Sequence, residues 1–133
     1  MMLQEFRDLL FLDIETVSHE CRFEDVKGSM ADFWLKKATR LGAQSEEEQK
    51  ELYAQKAGIF AEFGKIVTIA LGRMVVDEGG GYVLRVKGIS HHDERCLLEA
   101  LNEEFARIGS SRLRLCGHNI KEFDIPYICR RMT

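Results

Sequence analysis

Leu9-Leu10-Phe11-Leu12-Asp13-Ile14-Glu15-Thr16 holds five large apolar residues broken only by Asp13, the pattern of a strand buried on both faces. Side chains alternate across a strand, so Asp13 and Glu15 point to one side and Ile14 to the other. Two carboxylates side by side at the end of a core strand repel each other and lose solvation. A hard divalent cation such as magnesium, which takes oxygen ligands, can relieve that repulsion. Alternatively the strand has ended and both acids stand in water. The octet supports the two arrangements equally.

Outward from this strand, Val17 to Lys27 reads as loop. Ser29 with Asp32 has the spacing of an N-cap with an acid in the first turn, and Met30, Phe33, Trp34, Ala38 and Leu41 follow at helical spacing up to Gly42. Ser45-Glu46-Glu47-Glu48 has capping-box spacing for a second helix ending near Gly58. Lys65 to Val76 reads as a strand, Asp77-Glu78-Gly79-Gly80-Gly81 as a turn, and Tyr82 to Ile89 as the returning hairpin strand. Ser90 or Asp93 starts a helix whose stripe is Leu97, Leu98, Leu101, Phe105 and Ile108, ended by Gly109. Arg112 to Cys116 is one more short strand, and a last helix begins near Asp124 with Pro126 in its first turn. This order predicts an α/β domain, a mixed sheet flanked by helices, with a helical insertion over about 29–58.

The 133 residues suit one domain with a modest core. No apolar run is long enough to cross a membrane. The acids in the first eight residues do not suit a secretory signal. The four cysteines are scattered without zinc-ligand spacing, which fits reduced thiols and a cytoplasmic location. A net charge of -3 argues against non-specific coating of nucleic acid, but not against an enzyme that grips one chain end. Near the C-terminus Arg112, Arg114, Lys121, Arg130 and Arg131 face only Glu122 and Asp124.

The second informative stretch is Gly117-His118-Asn119-Ile120-Lys121-Glu122-Phe123-Asp124, at the end of the last predicted strand. Asp124 before Ile125-Pro126 suits an N-cap, and Asn119 suits a turn. His118 is either a structural residue beside a Gly turn or a metal ligand or acid/base. His91 and His92, at a predicted helix start, are assigned no role.

Leu12-Asp13-Ile14-Glu15-Thr16, followed about a hundred residues later by Asn119-x-x-x-Phe123-Asp124, resembles the first two motifs of the DnaQ-like 3′→5′ exonuclease superfamily. It is most similar to predicted bacterial exonucleases related to the proofreading domain of family B DNA polymerases. Glu62-Phe63-Gly64-Lys65-Ile66-Val67 and the run from Gly117 to Tyr127 carry the same likeness. The resemblance implies a ribonuclease-H-like fold. It makes Asp13, Glu15 and Asp124 the catalytic, metal-binding acids. Asn119 and Phe123 become framework of the second motif on the substrate side, and the Thr16 backbone N–H a donor to the terminal nucleotide. Lys121, Arg130 and Arg131 are candidate phosphate partners. Phe33 and Trp34 could wedge against a base, but their spacing already accounts for them as core.

The implied reaction is hydrolysis of phosphodiester bonds at nucleic-acid 3′ ends, with single-stranded DNA the expected partner and no membrane. Two divalent cations, Mg2+ or Mn2+, held about 3.5–4 Å apart would serve the attacking and leaving oxygens. The family's third motif, a Tyr or His four residues before a fourth acid, lies outside this sequence, which ends at Arg130-Arg131-Met132-Thr133. The resemblance therefore implies a domain truncated at its C-terminus, with either two ions or only one held by the acids present. It also implies apolar surface through which a homodimer could form. Two rivals remain. One is a catalytically inactive module of the same fold that binds nucleic acid or protein. The other is a haloacid-dehalogenase-like phosphatase, whose nucleophile strand ends in Asp-x-Asp-x-Thr; Glu15 replaces the second Asp here.

Overall fold

A computed structural model describes residues 5–109 and 112–133. The elements run β1 (Leu9–Ser18), α1 (Ser29–Arg40), α2 (Glu46–Lys56), β2 (Gly64–Val76), β3 (Tyr82–Ser90), α3 (Glu94–Ile108), β4 (Arg114–Cys116) and α4 (Asp124–Met132). The fold is α/β with a four-stranded mixed sheet in the order β3-β2-β1-β4. β1 and β4 are parallel, with Leu9 opposite Arg114 and Phe11 opposite Cys116. β2 and β3 form the antiparallel hairpin, from Thr68 opposite Ser90 to Val76 opposite Tyr82. Its turn is closed by Asp77, whose N–H donates to the Gly81 carbonyl at 2.8 Å and whose Oδ1 accepts from the Gly81 N–H at 2.7 Å. No helix among the described residues is long and apolar enough to cross a membrane.

The chain divides into two compact units, one drawn from the residues up to Glu15 and from Ile66–Met132, the other from Thr16–Lys65. The first contains most of the sheet with α3 and α4. Leu10, Leu12 and Ile14 of β1 are buried, as are Leu97, Leu98 and Leu101 of α3 and Tyr127 and Ile128 of α4. The expectation that β1 is buried on both faces is corrected: Leu9 and Phe11 are half-buried, and Asp13 and Glu15 are exposed. One face of β1 belongs to the core and the other is open, because the large side chains Leu84 and Val86 of β3 on that side are themselves 54% and 67% exposed.

α3 begins and ends as its sequence dictates. Asp93 Oδ1 accepts from the Arg95 N–H at 2.8 Å, and Gly109 adopts the left-handed conformation at the C-cap. Glu94, in its first turn, accepts from the Ile66 N–H at 2.6 Å and from Arg131 Nε at 2.8 Å. The Arg131 guanidinium thus forms an ion pair within the fold.

The second unit is built on α1 and α2, which fall within the expected insertion. Its core is Trp34, Ala38, Tyr53, Ala57 and Phe63. Trp34 packs edge-on against Tyr53 and Phe63, both with centroids at 5.1 Å, and its indole N–H donates to the Gln49 carbonyl at 2.9 Å. Ser45 Oγ caps α2 by accepting from the Glu48 N–H at 3.2 Å. Two expectations are corrected. Ser29 is the first residue of α1, and the N-cap is Gly28 at φ 65° with no side-chain cap. Phe33 and Leu41 are 53% and 43% exposed: Phe33 lies at the edge of the stripe, and Leu41 is the C-cap residue just past α1. The strand also runs two residues into the stretch expected as loop, and a single 3-10 turn occupies Phe23–Asp25.

Candidate functional site

β4 pairs with β1 only as far as Phe11, so the rest of β1 needs another partner on that side. The chain supplies one by turning sharply after β4. A Cβ on Gly117 would lie 2.5 Å from the Leu12 carbonyl oxygen, so only glycine lets the backbone pass so close. Asn119 is the one described non-glycine residue at positive φ, 52°, a conformation asparagine tolerates. Its carbonyl accepts from the Glu122 and Phe123 N–H groups at 3.1 and 3.0 Å. Phe123 packs against Tyr127 with centroids at 5.4 Å, and its carbonyl accepts from the Tyr127 N–H at 2.9 Å. Asn119 and Phe123 act as framework that delivers Asp124.

Asp124 is 2% exposed, the one buried charged residue among those described. It is the first residue of α4, and its Oδ1 accepts from the backbone N–H of Ile14 at 3.1 Å. The third acid is therefore docked on β1 between the two residues that carry Asp13 and Glu15. Burial pushes the Asp124 carboxyl above its usual range. The Ile14 N–H and its own N–H oppose that rise, the Asp13 charge adds to it and His118 offsets it.

Beside these groups lies an open concavity of about 420 Å³. Asp13 and His118 stand on its rim, and its floor includes Phe11, Gly72, Leu84 and Val86. A Cβ on Gly72 would make ordinary contact with Phe11 Cβ at 3.4 Å and Leu84 Cδ1 at 3.5 Å, so this part of the floor does not depend on glycine. His118, which the sequence leaves as either a structural residue or a ligand or acid/base, lines this concavity together with Asp13.

The structure brings Asp13, Asp124 and His118 into electrostatic contact. It does not gather three His, Cys, Asp or Glu side chains at metal-holding spacing among the described residues. Glu15 is exposed on the same side of β1 as Asp13, Thr16 is half-buried beside it, and Lys121 is exposed in the turn before Asp124. The donor chemistry nevertheless suits one hard cation. Magnesium commonly takes one or two carboxylates and keeps its waters, and a positive charge would offset the unfavourable burial of Asp124 beside Asp13.

No protein-family model, no curated protein and no solved structure matches this chain.

Proposed function

We propose that the chain is a metal-dependent 3′→5′ exonuclease domain of ribonuclease-H-like fold, acting on single-stranded DNA. The observation that carries this reading is the buried Asp124 carboxylate hydrogen-bonded to Ile14, between Asp13 and Glu15. A carboxylate held at 2% exposure beside another acid is a costly arrangement that a structural cap does not require. Asp13 and Asp124 would hold a divalent cation, with Glu15 reaching it through water or holding a second. The ion would supply Lewis-acid stabilisation of the scissile phosphate.

The chain's own groups do the rest. Asp124 is positioned by the Ile14 N–H and by the Asn119 turn, so its free oxygen is fixed in direction. His118, on the rim with Asp13, carries an imidazole nitrogen that can take a proton from an attacking water. The apolar floor of Phe11, Leu84 and Val86 suits the face of a terminal base.

The test is release of 3′-labelled nucleotide from single-stranded DNA with manganese, by the native chain and by Asp13→Asn. Release that stops with Asp13→Asn and does not occur on circular single strands is the expected result. No release, or release indifferent to Asp13, would sink the reading. A second reading, favoured by the exposed floor residues Leu84 and Val86, is a non-catalytic binding module of the same fold. That module would retain single strands without cleaving them.

A further inference from the structure

The opposite face of the same sheet carries a second concentration of charge. In the β2–β3 ladder Arg73 stands directly opposite Arg85, and Leu71 opposite Lys87. Residues opposite one another in an antiparallel pair project to the same face, and like charges placed so destabilise the sheet. Arg107 of α3 lines the same cavity, which measures about 280 Å³. Against these four cations stands one carboxylate, Glu104, which forms ion pairs with Lys87 and Arg107. No carboxylate among the described residues pairs with Arg73 or Arg85. Arg73 Nε is fully buried and has no hydrogen-bond partner, an arrangement that costs stability unless something fills it.

The remaining walls are apolar: Leu10, Leu71, Val75 and Ile108. Guanidinium forks match the geometry of phosphate oxygens and bind them bidentately. Apolar walls favour an uncharged body attached to that phosphate. The volume of about 280 Å³ falls just below the ~300–1,000 Å³ typical of ligand pockets, which suits a single nucleotide and not a chain. Leu10 and Asp13 differ in parity along β1, so this cavity and the Asp13 rim lie on opposite faces of the strand.

We infer that the cavity between the β2–β3 hairpin and α3 is a metal-independent binding site for a small phosphomonoester of nucleoside-monophosphate size. Arg73 and Arg85 grip its phosphate there. Nothing in this depends on the exonuclease reading.

The experiment is titration calorimetry of the full chain in the presence of a chelator, at low salt. The probes are uridine 5′-monophosphate, uridine and inorganic phosphate. The nucleotide should bind one to one, more tightly than inorganic phosphate, with no heat from uridine. Arg85 is exposed, so Arg85→Gln should leave the fold intact and weaken nucleotide binding by about ten- to a hundredfold. Arg73→Gln should do the same. No binding of any probe at millimolar concentration, or nucleotide affinity unchanged by Arg85→Gln, overturns the site. Equal affinity for nucleotide and inorganic phosphate overturns the organic ligand and leaves a simple phosphate site.

Discussion

Asp124 Oδ1 and the backbone N–H of Ile14 form a buried hydrogen bond of 3.1 Å across 110 residues of sequence. This single contact completes β1 beyond the last residue that β4 reaches, and it fixes the position of the acid. Structure and chemistry therefore share one side chain, and substitutions at Asp124 can separate them. Asp124→Ala should leave the Ile14 N–H buried without a partner and cost about 1–3 kcal/mol. Asp124→Asn keeps an acceptor oxygen, sheds the buried charge and should carry none of this loss at neutral pH. Urea denaturation of both variants checks this; equal losses would show that the hydrogen bond is not what holds the junction.

The pH dependence follows from the same residue. Burial holds the Asp124 carboxyl above its ordinary value in the folded chain, so between the unfolded and folded values the native state binds more proton. Stability contributed by this group is then greatest at acid pH and falls as pH rises through the folded value. Asp124→Asn removes the titration. The variant should gain on the native chain as pH rises through that window, and the gain should persist at neutral pH. A difference between the two that is flat from pH 3 to neutrality would contradict the raised value.

Gly117 gives a steric prediction. Any Cβ there meets the Leu12 carbonyl oxygen at 2.5 Å, and the contact is with backbone, which cannot rotate away. Gly117→Ala should destabilise by about 1–3 kcal/mol, as overpacking does. Because the turn delivers Asp124, it should also weaken the Ile14 hydrogen bond, seen as faster amide exchange at Ile14. A stable variant with unchanged exchange would mean the turn can relax.

Much of this fold is legible in the sequence wherever the signal is local. The hairpin strands, the Asp93 and Gly109 ends of α3, and the Ser45 cap each depend on residues within a few positions of one another. Legibility fails where several readings share one local pattern. Ser29 looks like a cap, but Gly28 at φ 65° takes that place. Phe33 falls at helical spacing from Met30 and still faces out. In the site, the resemblance grouped Asp13 with Asp124, but periodicity cannot show that a residue 110 positions away will cap β1. The Arg73–Arg85 pairing was hidden for the same reason, since it depends on hairpin register rather than on either strand's pattern.

Glu94 joins three elements through one carboxylate, accepting from Ile66 N–H and from Arg131. Its side chain is 13% exposed and that of Arg131 is 25%, so the pair is only partly screened by solvent. Glu94→Ala should cost about 2–4 kcal/mol, combining a lost ion pair with an unsatisfied N–H. Arg131→Ala should cost less, because Glu94 keeps Ile66 as a donor. A double-mutant cycle measures the pair itself; a coupling near zero would assign the whole loss to Ile66.

The last prediction concerns cation binding, read through stability rather than activity. A ligand that binds only the folded chain raises its stability in proportion to the logarithm of concentration over Kd, reaching about 2.7 kcal/mol at a hundredfold excess over Kd. If Asp13 and Asp124 hold one divalent ion, manganese should raise the melting temperature of the native chain. The rise should be lost in both Asp13→Asn and Asp124→Asn. Glu15→Gln should lose less, because the carboxylate whose charge acts on Asp124 is that of Asp13. The two Asp variants should differ without metal. Asp124→Asn starts more stable at neutral pH because a buried charge is gone, whereas Asp13 is exposed and its replacement should change little by itself. Adding manganese should therefore narrow or reverse the gap between the native chain and Asp124→Asn. A rise of equal size in all four proteins would place the ion elsewhere and remove the physical reason for the buried acid.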